Sequence, residues 1–271
     1  MLTSEQIQAA AQALDDAESQ RKQISPLTLA FQHTEADMDM DDAYAIQKAW
    51  VDLKLARGGE ISGYKIGLTS RAMQQAMNIS TPDYGVLFKD MAFANGATIT
   101  AGDFLDPRIE AEFGFAMKAP LFGEDVSIED VLAATDYVVP ALELISARSV
   151  RTDPTTGYTR NVYDTIADNA ANAGYIVGDE HIDPRQVDLR WQGALVYIDG
   201  VIEETGLGAA VMDHPAHGIR WVCKRFAKHG IGLEPGQFVL SGSFTRPIAV
   251  VPGSHIVADY GQLGQIDVRF S

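Results

Sequence analysis

The stretch Arg108-Ile109-Glu110-Ala111-Glu112-Phe113-Gly114-Phe115-Ala116-Met117 alternates apolar and other residues at a period of two, a pattern that a half-buried strand sorts onto two faces. Ile109, Ala111, Phe113, Phe115 and Met117 share one face and demand a core on that side. Glu110 and Glu112 share the other face with Gly114 and Ala116, and one pleat period separates the two acids by about 7 Å. Two carboxylates among small residues suit a hard divalent cation. The plain alternative is a solvated strand face carrying two ordinary acids, and an isolated E-x-E pair is compatible with both.

Charge narrows the choice. The 271-residue chain has a formal net charge of -16, from 37 acidic against 21 basic residues, so nucleic acid and anionic membrane would be repelled. An anionic small-molecule substrate would need local help from a metal or a few placed cations. The single Cys223 excludes a disulfide within the chain and fits a reducing compartment, and no Cys/His zinc spacing exists. The segment Met1-Leu2-Thr3-Ser4-Glu5 has no basic start or apolar h-region, and no apolar run reaches transmembrane length. The expectation is a soluble, cytoplasmic protein.

The chain changes texture near residue 60. Ser4 as N-cap, followed by Ile7, Ala10, Ala11, Leu14 and Ala17, predicts an amphipathic helix over 4–22. Acids from Asp37 to Asp42, then Ala43, Ile46, Trp50 and Leu53, predict a second helix stopped by Gly58-Gly59. The EF-hand Gly and Glu are missing there, so a calcium loop is set aside. Residues 1–60 thus read as a small helical N-terminal subdomain and 61–271 as a β-rich catalytic domain. Strands are predicted at 61–67, 86–93, 108–117, 137–146, 174–178, 189–204, 237–241, 247–251 and 264–270, with a hairpin turn at Asp199-Gly200. Helices are predicted at 71–77, after Ser127, and at 215–229. The fold class is α+β, mainly mixed or antiparallel β, without the regular alternation of a Rossmann or TIM-type chain.

Three further residues carry chemistry. Glu143 sits inside the apolar run Val138-Val139-Pro140-Ala141-Leu142-Glu143-Leu144-Ile145, where an unpartnered carboxylate costs several kcal/mol. It either joins Glu110 and Glu112 in an oxygen-rich site suited to Mg²⁺ or Mn²⁺, or pairs with an arginine such as Arg108 or Arg148. Lys65, flanked by glycines in Gly63-Tyr64-Lys65-Ile66-Gly67, is either snorkelling to solvent or held in a pocket for an anion. Asp83, in Thr81-Pro82-Asp83-Tyr84-Gly85, is a turn residue or a catalyst.

These blocks, with Asp136-Tyr137-Val138-Val139-Pro140-Ala141-Leu142-Glu143, Asp168-Asn169-Ala170-Ala171-Asn172 and Gly242-Ser243-Phe244-Thr245-Arg246-Pro247, resemble the hydratase/decarboxylase family of the fumarylacetoacetate hydrolase superfamily over nearly the whole chain. The resemblance implies the β-rich fold of that superfamily's C-terminal domain. It also implies a Mg²⁺ (or Mn²⁺) site at Glu110, Glu112 and Glu143, and catalysis by Lys65 and Asp83. The implied reaction is hydration of an unsaturated 2-oxo acid in aromatic meta-cleavage catabolism, with 2-oxohept-4-ene-1,7-dioate of homoprotocatechuate breakdown as the first substrate. Hydration of 2-hydroxypenta-2,4-dienoate, decarboxylation of a 4-oxalocrotonate-like acid, and a non-catalytic role as partner subunit of a hydratase/decarboxylase complex are the rivals. A homo-oligomer, with possible association to a decarboxylase, is implied as well. Substrate contact is expected from Lys65 and from Thr245, whose Gly-Ser-x-Thr segment also suits a plain turn. At Ala171 or Asn172 the family often has Ser, so no serine role carries over. A second substrate carboxylate would need a cation, with Arg71, Lys89, Arg151 and Arg160 as candidates. His214 and His217 fit a helix boundary better than a metal, Cys223 reads as a buried inert thiol, and Glu203-Glu204 as solvated or lining a pocket.

Overall fold

In the computed structural model, which describes residues 1–32, 37–76 and 79–271, the alternating stretch is one long strand at the centre of a sheet. In chain order the helices are α1 (Ser4–Gln20), α2 (Leu27–Phe31), α3 (Met40–Ala56), α4 (Arg71–Ala76), α5 (Ile128–Ala134), α6 (Val162–Ala167) and α7 (Ala216–Ala227). The strands are β1 (Ile61–Gly67), β2 (Asp83–Phe88), β3 (Ala92–Ala94), β4 (Thr98–Ile99), β5 (Arg108–Met117), β6 (Thr135–Ile145), β7 (Asn172–Val177), β8 (Gly193–Ile198), β9 (Val201–Leu207), β10 (Phe238–Leu240), β11 (Ile248–Ala249), β12 (His255–Asp259) and β13 (Gln265–Phe270). An eight-stranded sheet has the order β2-β1-β10-β5-β6-β7-β3, with β11 also on β5, and a five-stranded sheet the order β4-β13-β12-β8-β9. Most pairings are antiparallel, and β1/β10, β3/β7 and β13/β4 are parallel. The α+β reading therefore stands.

The two faces of β5 meet different layers. Ile109, Ala111, Phe113 and Phe115 are fully buried in a cluster with Val196, Ile256, Val268 and Phe270 of the smaller sheet, a sheet-on-sheet core. Leu87, Ala141, Tyr175 and Leu240, on the opposite face, pack against Leu14 of α1, Ala43, Ile46 and Trp50 of α3, and Ile166 of α6. Gly114 keeps that face open to one neighbour: a Cβ there would lie 2.0 Å from the ring of Phe238, so the strand needs glycine where the aromatic ring crosses it.

Local signals account for most elements. Capping boxes start α1 (Thr3 with Gln6), α3 (Asp39 with Asp42), α5 (Ser127 with Asp130) and α6 (Asn161 with Asp164). The α1 cap is thus Thr3, one residue before the expected Ser4. The stretch expected as one strand over 86–93 is divided by a turn of 3₁₀ helix at Lys89–Met91. The hairpin at Asp199-Gly200 joins β8 to β9. Residue 77 of the expected 71–77 helix lies outside the described residues. Four short elements, α2, α6, β4 and β12, were not anticipated. For α6 the support is tertiary, since Asp164 accepts hydrogen bonds from the Thr28 backbone N–H at 2.8 Å and hydroxyl at 2.6 Å. No helix among the described residues is long and apolar enough to cross a membrane.

Candidate metal centre and active site

Antiparallel pairing of β5 with β6 sets Glu110 directly opposite Glu143, and Glu112 follows one pleat period along the same face. Each of the three carboxylates offers an oxygen, all within 4.8 Å of one another. No other group of His, Cys, Asp and Glu with such geometry occurs among the described residues. Glu112 and Glu143 are each 1% exposed, while Glu110 is half-buried. Glu110 and Glu112 line a cavity of about 470 Å³ together with Lys65, Asp83, Arg160 and Thr245.

Lys65 and Asp83 reach this cavity through β1 and its antiparallel neighbour β2. Gly67 pairs with Asp83 and Lys65 with Gly85. A Cβ on Gly67 would stand 2.3 Å from Asp83 Oδ1 and 3.2 Å from Lys65 Nζ, so glycine there leaves the space that both side chains occupy. Lys65 is 4% exposed and its Nζ lies 3.2 Å from Glu143 Oε1. It is buried among acids, not snorkelling. Asp83 Oδ1 is buried without a hydrogen-bond partner among the described residues, a deficit that native interiors rarely leave unexplained.

The electrostatics are unbalanced. Burial raises the Glu110 pKa, the Glu143 charge raises it further, and it stands at about 8. Burial, Glu143 and Glu110 push Glu112 up in the same way. Asp83 is raised by burial and by Glu143, against the pull of Lys65. Burial opposes the charge on Lys65, yet Glu143, Asp83, Glu110 and Glu112 together outweigh it and hold the ammonium above its ordinary value. Four acids around one lysine cannot all ionise at low cost. A divalent cation among the three glutamates would supply the missing charge, and an all-carboxylate set of three oxygens fits a hard ion such as Mg²⁺ or Mn²⁺.

Two neighbouring segments hold the glutamates in place. The Gly242 N–H donates to Glu112 Oε2 at 2.9 Å, and Thr245 Oγ1 accepts the Ala111 N–H at 2.9 Å, so the 242–245 turn is stitched to β5 beside the cluster. Asn172 Nδ2 donates to Glu143 Oε1 at 2.9 Å. Before it, Asn169, Ala170 and Ala171 take left-handed φ values of 50°, 51° and 58°, costing about 1–3 kcal/mol each. Asn169 secures that run by bonding both backbone groups of Val86, at 2.7 and 2.9 Å. Nothing in the sequence marks Asn172 as a partner of Glu143 beyond its place in the Asp168–Asn172 block.

Other sequence candidates separate clearly. Neither arginine weighed as a partner for Glu143 touches it: Arg108 pairs with Asp106 at 3.2 Å, and Arg148 with Asp168 at 2.9 Å and Glu18 at 3.0 Å. Of the four cations considered for a distal carboxylate, Arg151 and Arg160 line the cavity, whereas Arg71 and Lys89 do not. Lys89 pairs with Glu60 on the surface. Glu204 lines the cavity and pairs with Arg246. His214 Nδ1 accepts the Ala216 N–H at 3.0 Å, a boundary role. Cys223 is fully buried, and burial pushes its thiol up to about 12.

No protein-family model matches the sequence. The chain is 50% identical over 260 residues to 2-oxo-hept-4-ene-1,7-dioate hydratase of Escherichia coli, covering 96% of each protein. The chain belongs to the hydratase/decarboxylase family. A second member, 2-keto-4-pentenoate hydratase of Paraburkholderia xenovorans, is 35% identical over 269 residues, 99% of this chain and 96% of that one. Among solved structures, 4-oxalocrotonate decarboxylase from Pseudomonas putida G7, complexed with magnesium and adipate, superposes with a TM-score of 0.92 at 34% identity, covering 100% of this chain and 99% of the other. The family spans hydration and decarboxylation on closely similar chains, so membership alone does not fix the reaction.

Proposed function

We propose that the chain is a metal-dependent hydratase that adds water to 2-oxohept-4-ene-1,7-dioate. The observation that carries this is the triad Glu110, Glu112 and Glu143 with Lys65 against it and Asp83 at the same cavity, in a chain 50% identical to a hydratase of that name. We assign the three glutamates to hold Mg²⁺ or Mn²⁺, which when bound supplies a Lewis acid for the carboxylate and keto oxygens of a 2-oxo acid.

The remaining steps belong to the protein's own residues. Net hydration puts OH on C4 and H on C5, which requires a proton to leave C3, one to arrive at C5, and water to add at C4 with a proton returned to C3. Asp83, with one buried oxygen unpartnered and a raised pKa, is assigned as the group that takes and returns protons along C3 to C5. Lys65, kept as an ammonium by the surrounding acids, faces the negative charge that develops on the 2-oxo acid. Half-buried Leu68, Met73 and Ile145 give the cavity an apolar side against which the carbon chain can lie. The Thr245 hydroxyl accepts from the Ala111 N–H, lies 3.4 Å from the Ser243 hydroxyl, and stands on the cavity wall where substrate can meet it.

Turnover of the metal-reconstituted protein with 2-oxohept-4-ene-1,7-dioate, 2-hydroxypenta-2,4-dienoate and 4-oxalocrotonate, followed by product NMR, tests the reading. The expected product is a 4-hydroxy-2-oxo acid, made fastest from the seven-carbon dioate. Release of CO₂ without net addition of water would identify a decarboxylase instead. We further infer a cytoplasmic homo-oligomer in homoprotocatechuate breakdown, supported by the single buried thiol and the family. Association with a decarboxylase belongs to the same reading, and co-purification tests it.

A further inference from the structure

Two cavity-lining arginines stand opposite one another in the loop after β6. The Arg160 N–H donates to Arg151 O at 2.9 Å, and the adjoining pair Thr152 and Thr159 forms a β-bridge whose hydroxyls are 3.2 Å apart. Directly opposed positions in such a ladder share a face, and like charges there are destabilising. The loop is nevertheless firmly built. Asp153 Oδ1 accepts the N–H groups of Thr155 and Thr156 at 3.0 and 2.8 Å, and Oδ2 accepts the Ser25 hydroxyl at 2.6 Å.

Neither arginine has a carboxylate partner among the described residues, although the chain carries 37 acidic side chains. Their neighbours Arg108, Arg148 and Arg246 each have one. Arg160 is half-buried and, among the described residues, gives only Nη1, to Ser149 O at 3.0 Å, which leaves the rest of its donor fork to meet a planar anion. Arg151 makes no side-chain hydrogen bond among the described residues. Both line the cavity that also holds Glu110 and Glu112. Burial lowers the Arg160 pKa, the charges of Asp168 and Asp164 work against that, and the charge on Arg151 lowers it further.

We propose that Arg160 and Arg151 together seat the distal carboxylate of a dicarboxylic 2-oxo acid whose other end meets the glutamate cluster, and that this pair sets the preference for dioates over monocarboxylates. The inference rests on the hydratase reading for the identity of the near end. It predicts that Glu204, already paired with Arg246, takes no part in the seat.

The test compares kcat/KM for 2-oxohept-4-ene-1,7-dioate with that for 2-hydroxypenta-2,4-dienoate in wild type, Arg160→Ala, Arg151→Ala and Arg160→Lys, all Mg²⁺-loaded and checked for folding by thermal melting. The dioate-to-monoacid ratio should fall by about 10- to 100-fold in Arg160→Ala, with partial recovery in Arg160→Lys, which keeps the charge without the fork. In parallel, calorimetry with heptanedioate and heptanoate, neither of which reacts, should show tighter binding of the dianion by wild type and a closed gap in the alanine variants. An unchanged ratio in folded Arg160→Ala and Arg151→Ala, or a wild type that prefers the monoacid, would overturn the seat while leaving the hydratase reading intact. If wild type turns over none of the acids, the hydratase reading fails, and the calorimetry still decides the seat. Should Arg160→Ala not fold, Arg160→Lys and Arg151→Ala carry the same comparison.

Discussion

Two buried clusters of charge lie on the helix-facing side of the large sheet, and they are built on opposite principles. Around Arg148, one cation meets two acids, Asp168 at 2.9 Å and Glu18 at 3.0 Å, and its guanidinium lies 4.6 Å from the Trp50 ring centroid. Asp168 Oδ2 takes the Arg148 backbone N–H at 2.6 Å, and Arg148 Nη2 reaches Asn172 O at 3.2 Å. Around Lys65, one cation faces four acids, its ion-pair contact being Glu143 at 3.2 Å, and Asp83 Oδ1 has no hydrogen bond among the described residues. Burial alone therefore does not mark a site, because both clusters are buried. Surplus does: the first is closed by its own hydrogen bonds, and the second is short of positive charge and of donors. Asn172 joins them, since its carbonyl takes Arg148 and its side chain holds Glu143.

The sharpest way to break this contrast is to remove one surplus acid. Glu143→Gln and Glu110→Gln should each lower turnover by about 10³-fold or more, and the metal-free Glu110→Gln protein should melt at the same temperature or higher, because burial and Glu143 already disfavour the charge on Glu110. Wild-type turnover by either variant after exhaustive chelation would sink the metal assignment. The complementary change belongs to the closed cluster. Arg148→Met leaves Asp168 without its cation, and breaking a buried pair in this way costs about 3–5 kcal/mol, to be read from urea unfolding. The variant protein that remains folded should keep far more of its kcat than Glu143→Gln does. If Arg148→Met instead removed activity without loss of stability, the two clusters would have to exchange roles.

How much of this was legible in the chain depends on the range of the interaction. The period-two pattern of 108–117 is local, and it correctly sorted Ile109 and Phe113 from Glu110 and Glu112, because side-chain alternation follows from the strand itself. That Glu143 needed company was also legible from the apolar run around it. Its partner is not legible there: pairing with Lys65 spans the sheet through β10 and β5, and the sequence alone suits Arg108 and Arg148 equally well. The same limit applied to the distal cations, since Arg71, Lys89, Arg151 and Arg160 differ only in where the fold carries them. Helix α6 escaped because six residues, Val162–Ala167, give too little periodicity, and its Asp164 clamps Thr28 at a sequence distance of 136. Asn172 was hidden by its setting, for the left-handed run at 169–171 aims it at Glu143 and no sequence signal marks that run without glycine.

The smallest expected effect tests the contrast through pH, at an acid that is satisfied in the manner of Asp168 and not in surplus like Asp83. Asp153 accepts the Ser25 hydroxyl first, then the Thr156 and Thr155 N–H groups and the Thr156 hydroxyl, and these donors hold its carboxyl down to about 2 from an ordinary value of 3.8. A depressed folded-state pKa means that the ionised form is favoured in the folded chain, so the contribution is complete above 3.8 and disappears as pH falls through about 2. Asp153→Asn keeps an oxygen for the two N–H groups and loses the charge. The difference in melting temperature between wild type and this variant should therefore be present at pH 5, shrink below pH 3.8 and vanish near pH 2. A difference that stayed constant over that window would show that the donors around Asp153 hold the loop by shape alone, and the arginine pair would then owe its position to something other than this carboxylate.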